Sequence, residues 1–275
     1  MVMPPDTILR RTSANLAAWI AGLARPPRVP PDRVLWPPLS RLALGTLATI
    51  AAVAAAMLLL DVPAVAHHLA QPRWFVAAFK AITDFGKAGW FLWPTGILLV
   101  AIAAVASPRL GRTTYLVLTS LAVRLGFVFA AVAVPSLFVM VIKRVIGRAR
   151  PLRGDGSDFA FDPLAFHHDH TSLPSGHSTT AFAAAVALGA LFPRARVWFW
   201  AYACVIALSR VVITTHYPSD VIAGAVIGGV GALLVRTWFA ARRLGFAIAT
   251  DGTVRALPGP SWRRLKRVAR RLFGQ

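Results

Sequence analysis

The sequence has one cysteine, Cys204, and no glutamate among its 275 residues. A single thiol cannot form a disulfide within the chain or supply the several thiolates of a cysteine-based metal site. Charged residues make up only 15% of the chain, whereas 57% are hydrophobic and the mean hydropathy is +0.62. This composition excludes a disulfide-stapled secreted fold and a soluble domain, and it predicts an all-α polytopic membrane protein.

Acidic residues are scarce as well, because 10 of them face 30 lysines and arginines and leave a formal net charge of +20. In a soluble protein such an excess would suggest nucleic-acid binding. In a membrane protein it is the pattern produced by basic cytoplasmic segments. We therefore expect no nucleic-acid partner.

Six apolar stretches that carry few charges predict a bundle of six transmembrane helices within residues 42–239. They are residues 42–60, 90–106, 115–142, 178–192, 197–208 and 221–239. Arg124 is awkward inside the third stretch, and snorkelling towards the basic side would leave residues 125–142 as its core. The sixth stretch has four glycines, which either allow close helix packing or are simple filler. They are Gly224, Gly228, Gly229 and Gly231.

Residues 62–67, directly after the first stretch, resemble a signal-peptidase site. A cleaved signal peptide is therefore the alternative to a first membrane span, although the leader would far exceed the usual length of roughly 15–30 residues. Residues 61–88 are expected to form a polar connection. It has Trp74, Phe75 and Phe79 at positions suited to the membrane interface.

Basic tails flank the predicted bundle. In residues 1–41 a short apolar stretch at 16–24 is expected to lie along the membrane surface, and Pro-Pro pairs at 26–27, 30–31 and 37–38 then break the chain. In residues 240–275, Trp262, Leu265, Val268 and Leu272 recur at helical spacing among arginines and lysines. This pattern predicts an amphipathic helix on an anionic lipid surface, with a disordered charged tail as the alternative.

Six spans would place both termini on one side of the membrane. Of the 30 lysines and arginines, 21 lie in or beside the two tails and the even-numbered loops, and 9 lie on the other side. The positive-inside rule therefore predicts cytoplasmic termini. The loops at 61–88, 143–177 and 209–220 are then expected to share the opposite face.

Cations and a helix start in these loops form a candidate anion site. Lys143 supplies a compact ammonium group, and Arg150 and Arg210 supply planar guanidinium groups. All three suit hydrogen bonding to the oxygens of a phosphate. Ser175 and Gly176 precede a predicted helix, so their backbone N–H groups and the helix dipole favour an anion. Each feature alone has a simpler explanation: a basic cluster after a membrane helix is usually a topology signal, and Pro-Ser-Gly is usually a turn.

Two histidines in the same loops supply reactive groups. Pro218 is expected to begin a helix with Asp220 in its first turn and His216 just before it. Asp220 would hold the imidazole of His216 in one tautomer. With His177 at the same anion, one imidazole can attack phosphorus while the other protonates the leaving oxygen, and neither step needs a metal.

The three stretches read K-x6-RP at 143–151, PSGH at 174–177 and SR-x5-H-x3-D at 209–220. Together they resemble the signature motifs of the type 2 phosphatidic acid phosphatase superfamily. The resemblance implies a membrane lipid phosphate or diphosphate as substrate and no cofactor. Its implied roles are phosphate binding for Lys143, Arg150, Ser175, Gly176 and Arg210, nucleophilic attack by His216 to form a phosphohistidine, orientation of His216 by Asp220, and general acid catalysis by His177.

Several further expectations depend on this resemblance. Asp84 and Lys87 lie in a stretch similar to one in bacterial lipid phosphatases of this type and are candidate headgroup contacts. Residues 167–170 are either a metal cluster or, as we favour, a polar loop at the mouth of the site. Headgroup selectivity is expected from residues 61–88 and 152–173, and the composition suggests a bacterial inner membrane.

Other functions remain open at this point. The same site would also serve a lipid phosphotransferase, in which the phosphohistidine passes its phosphate to another lipid. A transporter or a lipid-binding protein without turnover is the alternative from a different class. The related vanadium-dependent haloperoxidases share the anion pocket but are soluble, so the predicted spans disfavour them. Neither the headgroup nor the oligomeric state follows from the sequence.

Overall fold

The computed structural model describes residues 5–28, 38–153, 160–164 and 166–274. The Pro-Pro pairs at 30–31 and 37–38 and part of the 152–173 segment fall wholly or partly outside these residues. Within them, the α-helices are α1 (Pro5–Ala24), α2 (Leu39–Leu59), α3 (Asp61–Leu69), α4 (Arg73–Thr83), α5 (Gly89–Val105), α6 (Arg112–Ile146), α7 (Gly176–Leu191), α8 (Arg196–Val212), α9 (Pro218–Ala241) and α10 (Trp262–Phe273). Strands β1 (Phe246–Ile248) and β2 (Val254–Ala256) pair as an antiparallel hairpin, which the sequence did not predict.

Five helical stretches in the described residues are long and apolar enough to cross a membrane. They are Leu39–Leu59, Arg73–Val105, Arg112–Ile146, Pro193–Val212 and Pro218–Ala241. The mostly helical class is thus confirmed, but the predicted fourth span corresponds to α7, which is apolar and has only 16 residues. Much of α7 is buried inside the protein, including Ala181, Ala184 and Ala187 at 0% exposure.

The predicted connection at 61–88 is mostly helical, which the sequence did not predict. It forms α3, α4 and a 3-10 turn at Asp84–Gly86. Phe75 and Phe79 are four residues apart and share one face of α4, with ring centroids 4.9 Å apart. This i, i+4 aromatic pairing is a helical pattern.

The chain forms two compact units, and the first comprises Trp36–Phe91 and Ala130–Leu234. Its helices α7 and α9 approach closely, because a Cβ added at Gly224 or Gly228 would collide with the carbonyl oxygen of Ser175 or Thr179. A Cβ at Gly231 would lie 2.8 Å from Pro135, whereas one at Gly229 would meet nothing within 4 Å. Close packing therefore explains three of the four glycines, and Gly229 is filler.

The second unit comprises Met1–Leu35, Leu92–Phe129 and Val235–Gln275. Its α10 confirms the predicted amphipathic helix over Trp262–Phe273. Val268 is buried with Ala106, Val117 and Leu118, and Leu265 and Leu272 pack against the same cluster. Three of the four apolar residues of the predicted pattern therefore pack on protein, whereas Trp262 is exposed.

Two further expectations in this unit, for the 16–24 segment and for Arg124, also change because polar groups have hydrogen-bond partners inside the protein. Helix α1 is longer than the predicted 16–24 segment, and the Asn15 amide donates to the carbonyl oxygens of Ala103 and Ala106 at 2.8 and 2.9 Å. Arg124 donates to the carbonyl of Leu257 at 2.8 Å and to the Ser120 hydroxyl at 2.6 Å. Arg124 is therefore satisfied by protein acceptors and does not need to snorkel.

Candidate active site

His216 and Asp220 stand together where α9 begins. Pro218 is the first residue of this helix and Asp220 lies in its first turn, as predicted. Nδ1 of His216 is 3.6 Å from Oδ2 of Asp220, which is longer than a hydrogen bond but close enough for a strong electrostatic interaction. Since Nδ1 faces the carboxylate, Nε2 is the nitrogen left for a substrate.

Burial lowers the pKa of His216 to about 4, against the opposing effect of Asp220, which raises it. Only 3% of His216 is exposed. The imidazole is therefore neutral at physiological pH, and its free lone pair is available for attack.

Asp220 is held by more groups than the sequence suggested. Its Oδ2 accepts the Ser172 hydroxyl at 2.5 Å and the Tyr217 backbone N–H at 2.9 Å, and its Oδ1 accepts Nη1 of Arg148 at 2.8 Å. Arg148 also lies over the ring of Tyr217, 4.1 Å from its centroid. These contacts fix the carboxylate in one place beside His216.

The Arg148 guanidinium is completely buried and bridges two carboxylates. Its Nη2 donates to Oδ2 of Asp61 at 2.8 Å, opposite the contact with Asp220. Asp61 further accepts the backbone N–H of Ser219 at 3.0 Å and its hydroxyl at 2.6 Å. The first residue of α3 thus reaches the first turn of α9. Cleavage after residue 66 would remove Asp61, so the buried contacts disfavour the signal-peptide alternative.

A left-handed turn before Arg148 sets its position. Gly147 has a φ of 64°. A Cβ there would also collide with the backbone of Asp162, so only glycine fits. Arg148 lies inside the spacer of the K-x6-RP motif, and Asp61 directly follows an apolar span on the predicted active-site face. These were the sequence signals for two residues that motif matching missed.

The three predicted phosphate-binding cations lie near the histidines. Lys143 is within electrostatic range of Arg150 and Arg210, and His216 is within range of both arginines. Lys143 and Arg150 are half-buried, whereas Arg210 is buried. Nε of Arg150 donates to the carbonyl of His168 at 3.2 Å, and burial lowers its pKa. The structure therefore brings the three cations, which come from two of the motifs, to one place.

The start of α7 carries Ser175, Gly176 and His177 to the same place. A Cβ added at Gly176 would lie 3.9 Å from Nζ of Lys143, and His177 interacts electrostatically with Arg210 and His216. One expectation is wrong here. The backbone N–H of Ser175 donates to the carbonyl of Asp220 at 2.9 Å, so it is not free to bind an anion.

The 3-10 turn at Asp84–Gly86 borders the histidine and arginine side of the site. Nη1 of Arg210 donates to the Thr83 hydroxyl at 2.8 Å. A Cβ added at Gly86 would lie 3.0 Å from Cδ2 of His177. The adjacent Asp84 and Lys87 form an ion pair at 2.8 Å, and both side chains are more than half exposed. These two residues are therefore accessible to a headgroup.

The histidine-rich segment at 167–170 ends in a 3-10 turn, His168–His170. Asp169 pairs with Arg153 at 3.1 Å, and the nearby Arg150 lowers the pKa of His168. Among the residues that the structure describes, no three His, Cys, Asp or Glu side chains are grouped to hold a metal ion. The segment's described contacts are those of a polar loop beside Arg150.

This arrangement is suited to phosphoryl transfer. A neutral imidazole with one nitrogen facing a fixed carboxylate can act as a nucleophile. Burial and the nearby Arg210 lower the pKa of His177 to about 3, so this second histidine can act as an acid only when a bound anion raises that pKa. Preset positive charge from Lys143, Arg150 and Arg210 can stabilise the oxygens of a phosphoryl group.

Comparison with known proteins agrees with this chemistry. Residues 122–244 match the family model of the PAP2 superfamily. A lipid A 1-phosphatase from Rhizobium etli is 38% identical over 207 residues, which cover 74% of this chain and 88% of that protein. The chain belongs to the PAP2 superfamily. It is a phosphatase, and its membrane-length helices and bacterial membrane relatives make it an integral inner-membrane lipid phosphatase.

Two other similarities are weaker. A decaprenylphosphoryl-5-phosphoribose phosphatase from Mycolicibacterium smegmatis is 34% identical over 151 residues, 53% of this chain and 68% of that protein. The crystal structure of Aquifex aeolicus LpxE superposes with a TM-score of 0.43 and 22% identity, over 61% of this chain and 88% of that chain. The PAP2 phosphatase relatives therefore include proteins named for different lipid substrates.

Proposed function

We propose that this PAP2 phosphatase hydrolyses a lipid phosphate monoester through a phosphohistidine on His216. Nε2 of His216 attacks phosphorus, the P–O bond to the lipid breaks, and His177 gives its proton to the departing oxygen. Water then attacks the phosphohistidine with His177 as base, releasing inorganic phosphate and restoring His216. Lys143, Arg150 and Arg210 hold the phosphoryl oxygens throughout. Gly176 and the Ser175 hydroxyl complete the proposed phosphate site.

The observation that carries this proposal is the pairing of neutral His216 with a fully constrained Asp220. Nδ1 of the imidazole faces a carboxylate that accepts three other hydrogen bonds, from Arg148, Ser172 and the Tyr217 backbone. A histidine held only for packing would not need a carboxylate fixed so completely. The required positive charge comes from side chains, so we expect turnover that is insensitive to EDTA and inhibited by vanadate.

For the substrate, we propose a glycolipid phosphate of the lipid A type. The support is the 38% identity to the Rhizobium etli lipid A 1-phosphatase over most of that protein. The match to the decaprenylphosphoryl-5-phosphoribose phosphatase covers less of either chain. The exposed pair Asp84 and Lys87 and the segment around Arg153 and Asp169 are the proposed headgroup contacts.

Phosphate release by the purified protein from a panel of lipids tests both parts. The panel holds lipid A 1-phosphate, lipid A 4′-phosphate, phosphatidic acid, phosphatidylglycerol phosphate and undecaprenyl diphosphate. We expect the first to give the highest kcat/KM, and preference for another lipid would overturn the substrate. His216→Ala should lower turnover at least about 10³-fold, as for loss of a nucleophile, while the protein still inserts. His67→Ala, a change at an exposed histidine of α3, is the matched control.

Product analysis distinguishes hydrolysis from the alternative reaction of the same site, transfer of the phosphate to another lipid. With labelled substrate, hydrolysis yields labelled inorganic phosphate, whereas transfer yields a second labelled lipid. We propose hydrolysis as the main reaction. A transporter or binding protein would give neither product.

We further propose that the active-site loops face the periplasm and that the termini are cytoplasmic. The distribution of lysine and arginine supports this orientation. On α10 the apolar face is occupied by protein, so the exposed basic residues are left for anionic lipid headgroups. They are Arg263, Arg264, Lys266, Arg267, Arg270 and Arg271. Fewer co-purified anionic lipids after these six residues are changed to Gln would agree; unchanged lipid content would contradict it.

A further inference from the structure

Asp61 lies outside the three sequence motifs, yet it is a fully buried carboxylate. It is the first residue of α3, two positions beyond the end of the first membrane helix, α2, and its side chain is 0% exposed. Both of its oxygens are used: Oδ1 accepts the Ser219 backbone N–H, and Oδ2 accepts the Ser219 hydroxyl and Nη2 of Arg148. A buried carboxylate is costly unless such partners compensate it, so the position needs an explanation.

The partners of Asp61 lead directly to the nucleophile. The Ser219 hydroxyl accepts Nη1 of Arg148 at 2.7 Å and donates to Asp61, and the same nitrogen donates to Asp220 at 2.8 Å. Asp220 in turn lies 3.6 Å from Nδ1 of His216. A continuous set of contacts therefore runs from Asp61 through Arg148 and Asp220 to His216.

The formal charges of this set do not cancel. Asp61 and Asp220 contribute two negative charges and Arg148 contributes one positive charge, and all three side chains are fully buried. Within these three residues one unit of negative charge is left over, and Lys143 and Arg150 lie within electrostatic range of Asp220. If Arg148 served only to neutralise Asp220, one carboxylate would be enough, and a second one would add desolvation cost without need.

We propose that Asp61 is a positioning residue for the PAP2 reaction. Asp61 competes with Asp220 for the electrostatic attraction of Arg148, so Asp220 stays close to His216. The Asp220 carboxylate then stabilises the positive charge that develops on the His216 imidazole during attack. The inference rests on His216 being the nucleophile, as proposed above. It also makes the first residue of α3 part of the catalytic unit, although the family motifs begin at Lys143.

Replacement of Asp61 by Asn separates this role from a purely structural one. The Asn side-chain oxygen still accepts the Ser219 N–H, whereas its amide nitrogen cannot accept from Nη2 of Arg148, so the amount of folded protein is measured together with the kinetics. Arg148 and Asp220 are left as a balanced pair. With the charge of Asp61 gone, Arg148 draws Asp220 more strongly and His216 loses support. We expect kcat to fall at least about tenfold, the scale for groups that orient an active-site residue. KM should change less than twofold, because the phosphate contacts are intact.

The decisive measurement is a single turnover with phosphate-labelled lipid, quenched in alkali so that phosphohistidine survives. A positioning role lowers the rate of label transfer to His216 and leaves the amplitude unchanged. A structural role lowers the amplitude, because fewer molecules are folded, and leaves the rate unchanged. Asp251→Asn, the same change in an exposed ion pair with Arg255, is the control and should match the wild type.

Ser219→Ala gives a second and milder test, because it removes the hydroxyl that bridges Asp61 and Arg148 beside their direct contact, and it keeps every charge. We expect its single-turnover rate to fall at least about threefold, on the scale of one lost hydrogen bond. If Asp61→Asn does not accumulate, this variant decides. Wild-type rates in either folded variant overturn the role of Asp61. Failure of the wild type to label His216 would instead overturn the proposed function.

Discussion

The backbone of Gly86 lies directly against the imidazole of His177. A Cβ added at this glycine would be 3.0 Å from Cδ2 of His177 and 2.5 Å from Cγ2 of Ile206. Both neighbours are buried or packed closely, so the added Cβ displaces Ile206 and presses on the histidine. The size of the residue at position 86 therefore limits the position of the His177 imidazole, the proposed general acid.

Gly86→Ala should lower kcat/KM by up to about tenfold, because the contact at 3.0 Å displaces His177 by less than the ~1 Å that costs a reacting group about 100-fold. Steady-state kinetics on the preferred lipid measure it. Gly229→Ala is the matched control, since a Cβ there meets nothing within 4 Å. Equal activity of the two alanine variants would show that His177 is not constrained by Gly86.

The Thr83 hydroxyl should position Arg210 for phosphate. Thr83→Val keeps the shape of the side chain but removes the acceptor of the 2.8 Å hydrogen bond from Nη1. Loss of one hydrogen bond to a charged group costs roughly 1.5–3 kcal/mol, so kcat/KM should fall about tenfold or more. Thr83→Ser retains the hydroxyl and should retain most activity. A Val variant as active as the Ser variant would contradict this role.

Much of the site was predictable because its chemistry lies in short stretches. His216, Pro218 and Asp220 stand where the helix-start pattern placed them, and Lys143, Arg150 and Arg210 lie near the two histidines. Asp61 and Arg148 were not found, because their role depends on contacts between residues 87 positions apart. A sequence pattern reports local spacing, whereas which side chain compensates a buried charge is decided by the fold.

The errors in the fold have a similar cause. Residues 61–88 were predicted as a polar connection, and the four-residue spacing of Phe75 and Phe79 was not used to predict the helix that they share. The tail was predicted as an amphipathic helix on an anionic lipid surface, but Ala106, Val117 and Leu118 supply an apolar surface for it within the protein. Composition shows that a face is apolar; it does not show what covers that face.

The low pKa of His216 should be visible in the pH dependence of kcat/KM, which reports the free enzyme. His216 reacts only when neutral, and burial places its pKa at about 4, with Asp220 raising it and Arg210 and Arg150 lowering it. If the phosphate dianion is the substrate, kcat/KM falls about tenfold per pH unit below its second ionisation near 6. His216 should add no further decline until about pH 4. A hundredfold fall per unit between pH 6 and 4.5 would show that His216 has an ordinary pKa.

The proposed orientation can be tested with single cysteines, because Cys204 is the only cysteine and Cys204→Ser provides a background without thiols. Asp169→Cys reports the segment beside Arg150, and Asp251→Cys reports the hairpin in the basic C-terminal tail; both native side chains are about half exposed. Lysine and arginine are enriched in the tails, and the positive-inside rule places such segments in the cytoplasm. A membrane-impermeant maleimide should therefore label position 169 in intact spheroplasts, and position 251 only after lysis.

Labelling of both positions in lysed cells controls for accessibility. Labelling of position 251 in intact spheroplasts would reverse the orientation and place the active site on the cytoplasmic face, where a lipid A type substrate would have to be used before export.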